Sequence, residues 1–207
     1  MNKRSATWGQ SLLYTFWSVI VFGLLYPLMI AILAHYLMPI QADGSLIRDK
    51  HGVIIGSSLS GQLFTKQGYF HSRPSAAGNG YDPTQSGGSN LGPTSNKLIE
   101  TTRANVLHLR QENPQAPATI PADLASTSAS GLDPEISPEA ATFQLARVAN
   151  ATQLSGTQLR ALIQLQTIQP ELGFIGEPRV NVLKLNLAVQ NLIFCTHLPR
   201  DCRTSVK

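Results

Sequence analysis

No Asp, Glu, Lys or Arg stands between Arg4 and Asp43, and the chain as a whole is only 14% charged. Such a gap excludes a water-facing surface for that stretch. Cysteine is scarce: Cys195 and Cys202 are the only two, which excludes a disulfide-dense scaffold and any multi-cysteine zinc module. An excess of one charge is also missing. Residues 1–42 hold two basic and no acidic residues, leaving 14 basic and 12 acidic in the remainder, too even a balance for a nucleic-acid surface. The five histidines, at 35, 51, 71, 108 and 197, form no HExxH and no i, i+4 pair, so no metal site is indicated. A G-x-S-x-G elbow for a serine nucleophile is absent as well.

What the uncharged stretch does hold is Leu12 to Leu37, 26 residues whose polar members are Thr15, Ser18, His35 and the tyrosines. As a helix it would be about 39 Å long, enough for about 30 Å of hydrocarbon. Trp8, Tyr14, Phe16 and Trp17 near one end and Tyr36 at the other suit the two interfaces. Pro27 near the middle predicts a kink. The apolar core is far longer than the roughly 7–15 residues of a cleaved signal, so a retained anchor is expected. Lys3 and Arg4 precede the span, while Asp43, Arg48, Asp49 and Lys50 cancel after it. The positive-inside rule then predicts a cytoplasmic N-terminus at 1–11, a transmembrane helix at 12–37, an extracytoplasmic domain at 38–190 and a tail at 191–207. In a bacterium that places the domain in the oxidising periplasm. There Cys195 and Cys202 are placed to pair across a loop turned by Pro199; alternatively Cys195, in the apolar run LIFC, is a buried thiol.

The outer part predicts a single mixed domain, α+β or α/β-like. Residues 44–58 pattern as a β-hairpin around Asp49-Lys50-His51-Gly52. Residues 72–96 hold 16 Ser, Pro, Gly or Asn among 25, and with Tyr81 and Leu91 as anchors predict an ordered functional loop. Leu98, Thr102, Val106 and Leu109 lie on one helical stripe. Ser137 with Pro138 predicts a helix start, placing Ala141, Leu145 and Val148 on one face. Ser155-Gly156-Thr157-Gln158 predicts a capping box for another helix, with Leu159, Leu162 and Ile163 on it. Val180 to Leu187 alternates and predicts a strand with Leu183, Leu185 and Leu187 on one side and Asn181, Lys184 and Asn186 on or near the other.

Nucleotide motifs come close and fail. Gly56 to Gly61 has the G-x4-G spacing of a P-loop, but Gln62-Leu63 stand where Lys and Ser/Thr are needed to meet phosphates and Mg²⁺. Gly87 to Gly92 repeats the spacing and is followed by Pro93-Thr94. Gly56, Gly61 and Gln62 are therefore only weak nucleotide candidates, and Leu59-Ser60-Gly61-Gln62 resembles the LSGGQ segment of ABC transporters one glycine short. His71, within Tyr69-Phe70-His71-Ser72-Arg73-Pro74, is a catalytic candidate with no acid or nucleophile tied to it by spacing. The simpler expectation is that His71 and Arg73 make structural hydrogen bonds. Asp123, Asp133, Glu135 and Glu139 read as helix capping and a solvated face rather than a cation site.

As words, the same segments are specific. Residues 69–78 (YFHSRPSAAG), Tyr81-Asp82-Pro83 with 86–94 (SGGSNLGPT), 130–141 (SGLDPEISPEAA) and 176–188 (GEPRVNVLKLNLA) occur in that order behind one apolar helix. In this the chain resembles the C subunit family of the bacterial Kdp potassium-transporting P-type ATPase. Departures are few: Glu135 stands where the family pattern has His, Ser95 precedes Asn96, and the cysteine-bearing tail extends past the usual end. The resemblance implies an accessory part in a pump whose other chains hydrolyse ATP and conduct potassium, with a small additional membrane subunit. For the family it also implies a catalytic chaperone that raises the ATP affinity of the hydrolysing subunit, sometimes touching nucleotide. An outer domain meets no cytoplasmic ATP, so assembly or gating is expected before direct contact, with no firmly bound cofactor and no metal. The chain lacks the Asp-Lys-Thr-Gly phosphorylation sequence, and one helix cannot enclose an ion path. Candidate docking residues on the shared segments are Tyr69, Phe70, His71, Arg73, Ser89, Asn90, Glu177 and Arg179. The rival readings are a membrane-tethered periplasmic enzyme using His71, for which a carboxylate facing His71 in a cleft is the discriminator, and a free-standing anchored binding domain.

Overall fold

A computed structural model describes residues 8–49 and 51–197, and the chain divides into a unit ending at Leu46 and a second unit beginning at Ile47. Among the orientation charges Lys3, Arg4 and Lys50, and of the two cysteines Cys202, lie outside the described residues.

The first unit is one long apolar helix with a short cap. Helix α1 (Trp8–Ile20) continues through a π-helical turn (Val21–Leu25) into α2 (Tyr26–Leu37), followed by a single turn, α3 (Pro39–Ala42). The span from Trp8 to Leu37 is 30 residues and long and apolar enough to cross a membrane. The expected kink at Pro27 takes the form of the widened turn just before it. Proline has no N–H to give, and its ring would press on the carbonyl four residues back, that of Gly23. The Tyr26 N–H reaches instead to the Val21 carbonyl, five residues back, which opens the turn and removes the clash. No residue of α1 or α2 is buried.

The second unit is a mixed helix and sheet domain. Strands β1 (Leu46–Arg48) and β2 (Ile54–Ser57) form the expected hairpin, its turn fixed by the Asp49 carboxylate, which accepts from the His51 and Val53 N–H groups at 2.8 and 2.9 Å. Helix α4 (Asn96–Glu112) and the short α5 (Ala122–Ala125) precede strand β3 (Glu135–Ile136). Helix α6 (Pro138–Thr152) starts at Ser137, whose hydroxyl accepts from the Ala140 N–H at 3.0 Å, with Pro138 at its first position. Helix α7 (Gly156–Gln166) carries the full capping box, Ser155 and Gln158 each answering the other's backbone. Strands β4 (Thr167–Ile168) and β5 (Arg179–Asn181) complete an antiparallel sheet of order β3-β5-β4, with Ile136 and Thr167 both opposite Val180.

One expectation fails. The alternating run Val180–Leu187 is a strand only as far as Asn181, where helix α8 (Val182–His197) takes over. The same letters carry a helical pattern: Val182, Leu185, Asn186 and Val189, at i, i+3, i+4 and i+7, are all at most 2% exposed. Val182 N–H donates to the Pro134 carbonyl and Lys184 N–H to the Asn181 side chain, so the turn from strand into helix is itself bonded. Helices α6, α7 and α8 close over the sheet, and Phe70, Ala140, Ala141, Phe143, Val148, Leu159, Ile163, Val180, Leu185 and Val189 form one core.

Candidate functional site

The loop from Ser72 to Thr94 contains almost no regular structure, yet its backbone is tied down. Ser75 Oγ donates to the Gly131 carbonyl at 2.6 Å and accepts from the Tyr81 N–H at 2.8 Å; Gly87 N–H donates to Ser130 O and Ser128 N–H to Pro74 O. Gly131, at φ +70°, sits so close to Ala77 that an added Cβ would lie 2.6 Å from that residue's methyl carbon, so glycine is required there on both counts. The Tyr81 hydroxyl donates to the Arg73 carbonyl. Burial, with the nearby Asp133 charge, pushes its pKa up to about 12, which keeps that donor protonated at any physiological pH.

Just ahead of this loop, a turn closed by the Tyr69 N–H on the Lys66 carbonyl leads into residues 70–73, and across 67–71 side chains answer the backbone polar groups. Asn186 on α8 accepts from the Phe70 N–H at 2.8 Å and donates to the Phe70 carbonyl at 2.9 Å. Gln144 on α6 does the same for His71, at 2.7 and 3.0 Å. Arg147, one turn on, donates to the carbonyls of Gln67 and Tyr69, to Asn113 Oδ1 and to Gln144 Oε1. Two side-chain amides and one guanidinium thus replace a neighbouring strand, which lets polar backbone lie against the core. None of these three was a predicted site residue. The available signal was their type, since Gln144, Arg147 and Asn186 are polar letters on apolar helix faces.

The structure brings several of the expected residues together and leaves others apart. Phe70 is fully buried and belongs to the core rather than to a docking surface. Tyr69 packs on Phe64 and its hydroxyl accepts from Gln190. Arg73 pairs with Asp133 at 2.9 Å, and Arg179 with Glu135 at 3.0 Å, so the acidic stretch is largely engaged: Asp123 accepts from the Ser137 N–H at 2.7 Å. Arg73 Nε is buried with no partner of its own. Glu177 is exposed, as are Ser89 and Asn90, the latter at φ +51°. Gly56, Gly61 and Gln62 do lie together, but packed down. The Gln62 amide donates to the Ile55 carbonyl at 3.2 Å, Gly61 N–H to Leu132 O at 2.7 Å, and Leu59 N–H to Ser57 Oγ. A loop with these amides spent and no lysine does not fit a triphosphate.

His71 does face a cleft with a carboxylate. It lines a cleft of about 460 Å³ between the 63–81 segment and α4, with its Nδ1 3.4 Å from Glu112; His108 Nε2 lies 3.7 Å from the other Glu112 oxygen. The two serines lining this cleft are both bonded to backbone carbonyls. Ser72 Oγ donates to Gln62 O and Ser75 Oγ to Gly131 O, while the His71 Nε2 is engaged by the Lys66 carbonyl at 3.2 Å. Burial holds the His71 pKa below its ordinary value, and the Arg147 charge adds to this, against the upward pull of the Lys66 carbonyl and Glu112. The neutral imidazole is thus the form the fold prefers. Its contribution is present above the unfolded pKa of about 6.5 and is lost as pH falls below that value. Thermal melts from pH 7.5 to 5.5 should therefore show a falling midpoint, and His71→Gln should flatten the fall. An unchanged pH slope in that variant would remove His71 from the account.

Residue by residue, this is a braced structural surface. The family model described as "KdpC: K+-transporting ATPase, c chain" matches residues 8–191, which includes every element above except the last turns of α8. The potassium-transporting ATPase KdpC subunit of Myxococcus xanthus is 51% identical over 172 residues, 83% of this chain and 82% of its own. That of Caulobacter vibrioides is 52% identical over 170 residues, covering 82% and 85%, and that of Koribacter versatilis 50% over 187 residues, covering 90% and 94%. A match of this extent, running through the braced segment, the loop and the sheet alike, leaves one conclusion: the chain belongs to the KdpC family, the c chain of K+-transporting ATPases.

Proposed function

We propose that the chain is a non-catalytic accessory subunit of an ATP-driven potassium uptake pump. In this reading residues 12–37 span the bacterial inner membrane once, residues 1–11 are cytoplasmic, and 38–190 form the extracytoplasmic domain with 191–207 as its C-terminal extension. The domain docks on the potassium-conducting and ATP-hydrolysing assembly and its small additional membrane subunit, and influences ATP hydrolysis indirectly by favouring one conformation of its partners.

What supports this most is the convergence of four segments that are distant in the chain. Residues 69–78 bond to 130–141 through Ser75–Gly131 and Arg73–Asp133, and to 176–188 through Phe70–Asn186; 86–94 bonds to 130–141 through Gly87–Ser130; Glu135 pairs with Arg179. Four words shared with a family of pump subunits thus form one continuous scaffold, and the serines in the cleft beside its histidine are bonded to backbone carbonyls. The exposed Ser89, Asn90 and Glu177, with the half-buried Arg73 and Arg179, are the proposed docking residues.

The test has two arms. A tagged full-length chain, extracted from native membranes in mild detergent, should carry the other pump subunits and a potassium-stimulated ATPase activity with it. The chain purified free of those subunits should hydrolyse no ATP. Steady turnover by the isolated chain would make it an enzyme, and a chain that leaves the membrane alone would make it a free-standing domain.

A further inference from the structure

Among the large apolar side chains described in residues 47–197, the three most exposed are Leu172 at 82%, Phe174 at 77% and Leu165 at 77%. All three fall within ten residues of sequence, joined by Ile168 and by Ile175, which is 50% exposed. Leu172, Phe174 and Ile175 belong to the arm between β4 and β5, where every residue from Glu171 to Glu177 is exposed. The arm is not a loose loop. Glu171 and Ile175 exchange both backbone hydrogen bonds at 2.9 Å, Phe174 N–H donates to the Glu171 carbonyl at 3.3 Å, and Gly173 N–H donates to the Pro170 carbonyl. A bonded hairpin therefore holds three large apolar side chains out in solvent, an arrangement that marks an interaction surface.

The backbone adds an independent sign. Leu172 and Gly173 are the two central residues of the turn, at φ +54° and +82°. A turn with both angles positive favours Asn, Asp or Gly at its first central position. Leucine there is strained, and its side chain gains nothing from the fold because it touches water instead of the core. Neither the turn nor the domain's own packing accounts for that leucine.

Charge decides among possible occupants. Between Arg160 and Arg179 there is no Lys or Arg, and the only charges are Glu171 and Glu177, one on each side of the apolar tip. Segments that insert into lipid surfaces carry cations to meet anionic headgroups, and two carboxylates oppose that. A symmetric contact with a second copy would bring four carboxylates together. An apolar recess edged by basic side chains, on a different protein, fits both features. We propose that the 171–177 arm is a docking element that inserts Leu172 and Phe174 into such a recess on another subunit of the potassium-transporting assembly. This rests on the reading of the chain as an accessory subunit and adds the element that makes the contact.

The experiment uses the full chain in native membranes. With Phe174→p-benzoylphenylalanine, irradiation should give an adduct whose partner, by mass spectrometry, is another polypeptide of the pump. An adduct to lipid, to a second copy or to the chain's own residues 198–207 would overturn the proposal, and so would no adduct. Leu172→Asn supplies the second measurement, because it suits the turn and should not lower the melting temperature. It should nonetheless weaken retention of the other subunits about tenfold or more, as expected for loss of an anchor residue. Full retention by Leu172→Asn, with the unsubstituted chain also retaining them, would sink the arm alone. If the unsubstituted chain retains none, the accessory-subunit reading falls and the arm with it.

Discussion

Asn186→Leu should lower the melting temperature of the detergent-solubilised chain by roughly 6–12 °C, although it adds apolar volume to an apolar neighbourhood. Asn186 is 2% exposed and Phe70 fully buried, and the two exchange hydrogen bonds at 2.8 and 2.9 Å. Leucine can neither accept from the Phe70 N–H nor donate to its carbonyl. Each buried backbone group left without a partner costs about 1–3 kcal/mol, partly offset by the extra methyl groups, so a net loss of about 3 kcal/mol is expected. In a domain of this size each kcal/mol moves the midpoint by roughly 2–4 °C. Because Gln144 braces the adjacent residue from another helix, Gln144→Leu should act similarly. The double variant should depart from additivity, since both clamps hold one short strand of backbone. A fall below about 2 °C in Asn186→Leu would mean that the 67–73 segment finds other partners and that the clamp is not what holds it.

That clamp also marks where sequence reasoning stopped. Helices α6 and α7 were legible because their starts are local: Ser137 with Pro138, and Ser155 with Gln158, signal through residues at most three apart. The hairpin at 46–57 and the long apolar helix were legible for the same reason. Helix α8 was not, because Leu183, Leu185 and Leu187 satisfy a two-residue period while Val182, Leu185 and Val189 satisfy a helical one. In an eight-residue window both patterns fit. Its length decides the matter, since the apolar letters continue through Leu192 and Ile193, too far for the short strand that was expected. As a strand the run would put Asn186 on or near the face opposite the leucines; as a helix it buries Asn186, at 2% exposure.

The site shows the same division. His71 and Arg73 stood out as members of a specific segment, but what they touch lies far off in sequence. Gln144 is 73 residues from His71, Arg147 is 76, and Asn186 is 116 from Phe70. No spacing rule reaches across such separations; only the packing of α6 and α8 against the same backbone creates them. Glu112, the carboxylate that faces His71, was unremarkable for the same reason. The exposed arm is the opposite case, since Leu172, Gly173 and Phe174 are adjacent. It went unread because exposure is not a property of the letters.

The second large effect concerns orientation, and its readout is all or none. Lys3 and Arg4 precede the 30-residue apolar span, and each resists transfer through hydrocarbon by about 2.5–3.5 kcal/mol. Asp43, Arg48, Asp49 and Lys50 on the far side sum to no net charge, so nothing there competes to stay in the cytoplasm. The proposed topology therefore puts the whole second unit outside. Alkaline phosphatase fused after Lys207 should be active and green fluorescent protein at the same position dark. Replacing Lys3 and Arg4 by Gln should weaken that preference. In intact cells a membrane-impermeant maleimide should label Ser86→Cys, an exposed position, above the level of the unsubstituted chain. The mechanism turns on this result. With the domain outside, cytoplasmic ATP never meets the Gly56–Gln62 loop, whose amides are already spent on Ser57 and Leu132. Any effect on hydrolysis must then pass through the partners' conformational equilibrium, with a coupling typically of about 1–3 kcal/mol. If the fusions report the opposite orientation, the domain shares a compartment with ATP. The loop would then have to open to bind it, and the indirect mechanism would be wrong.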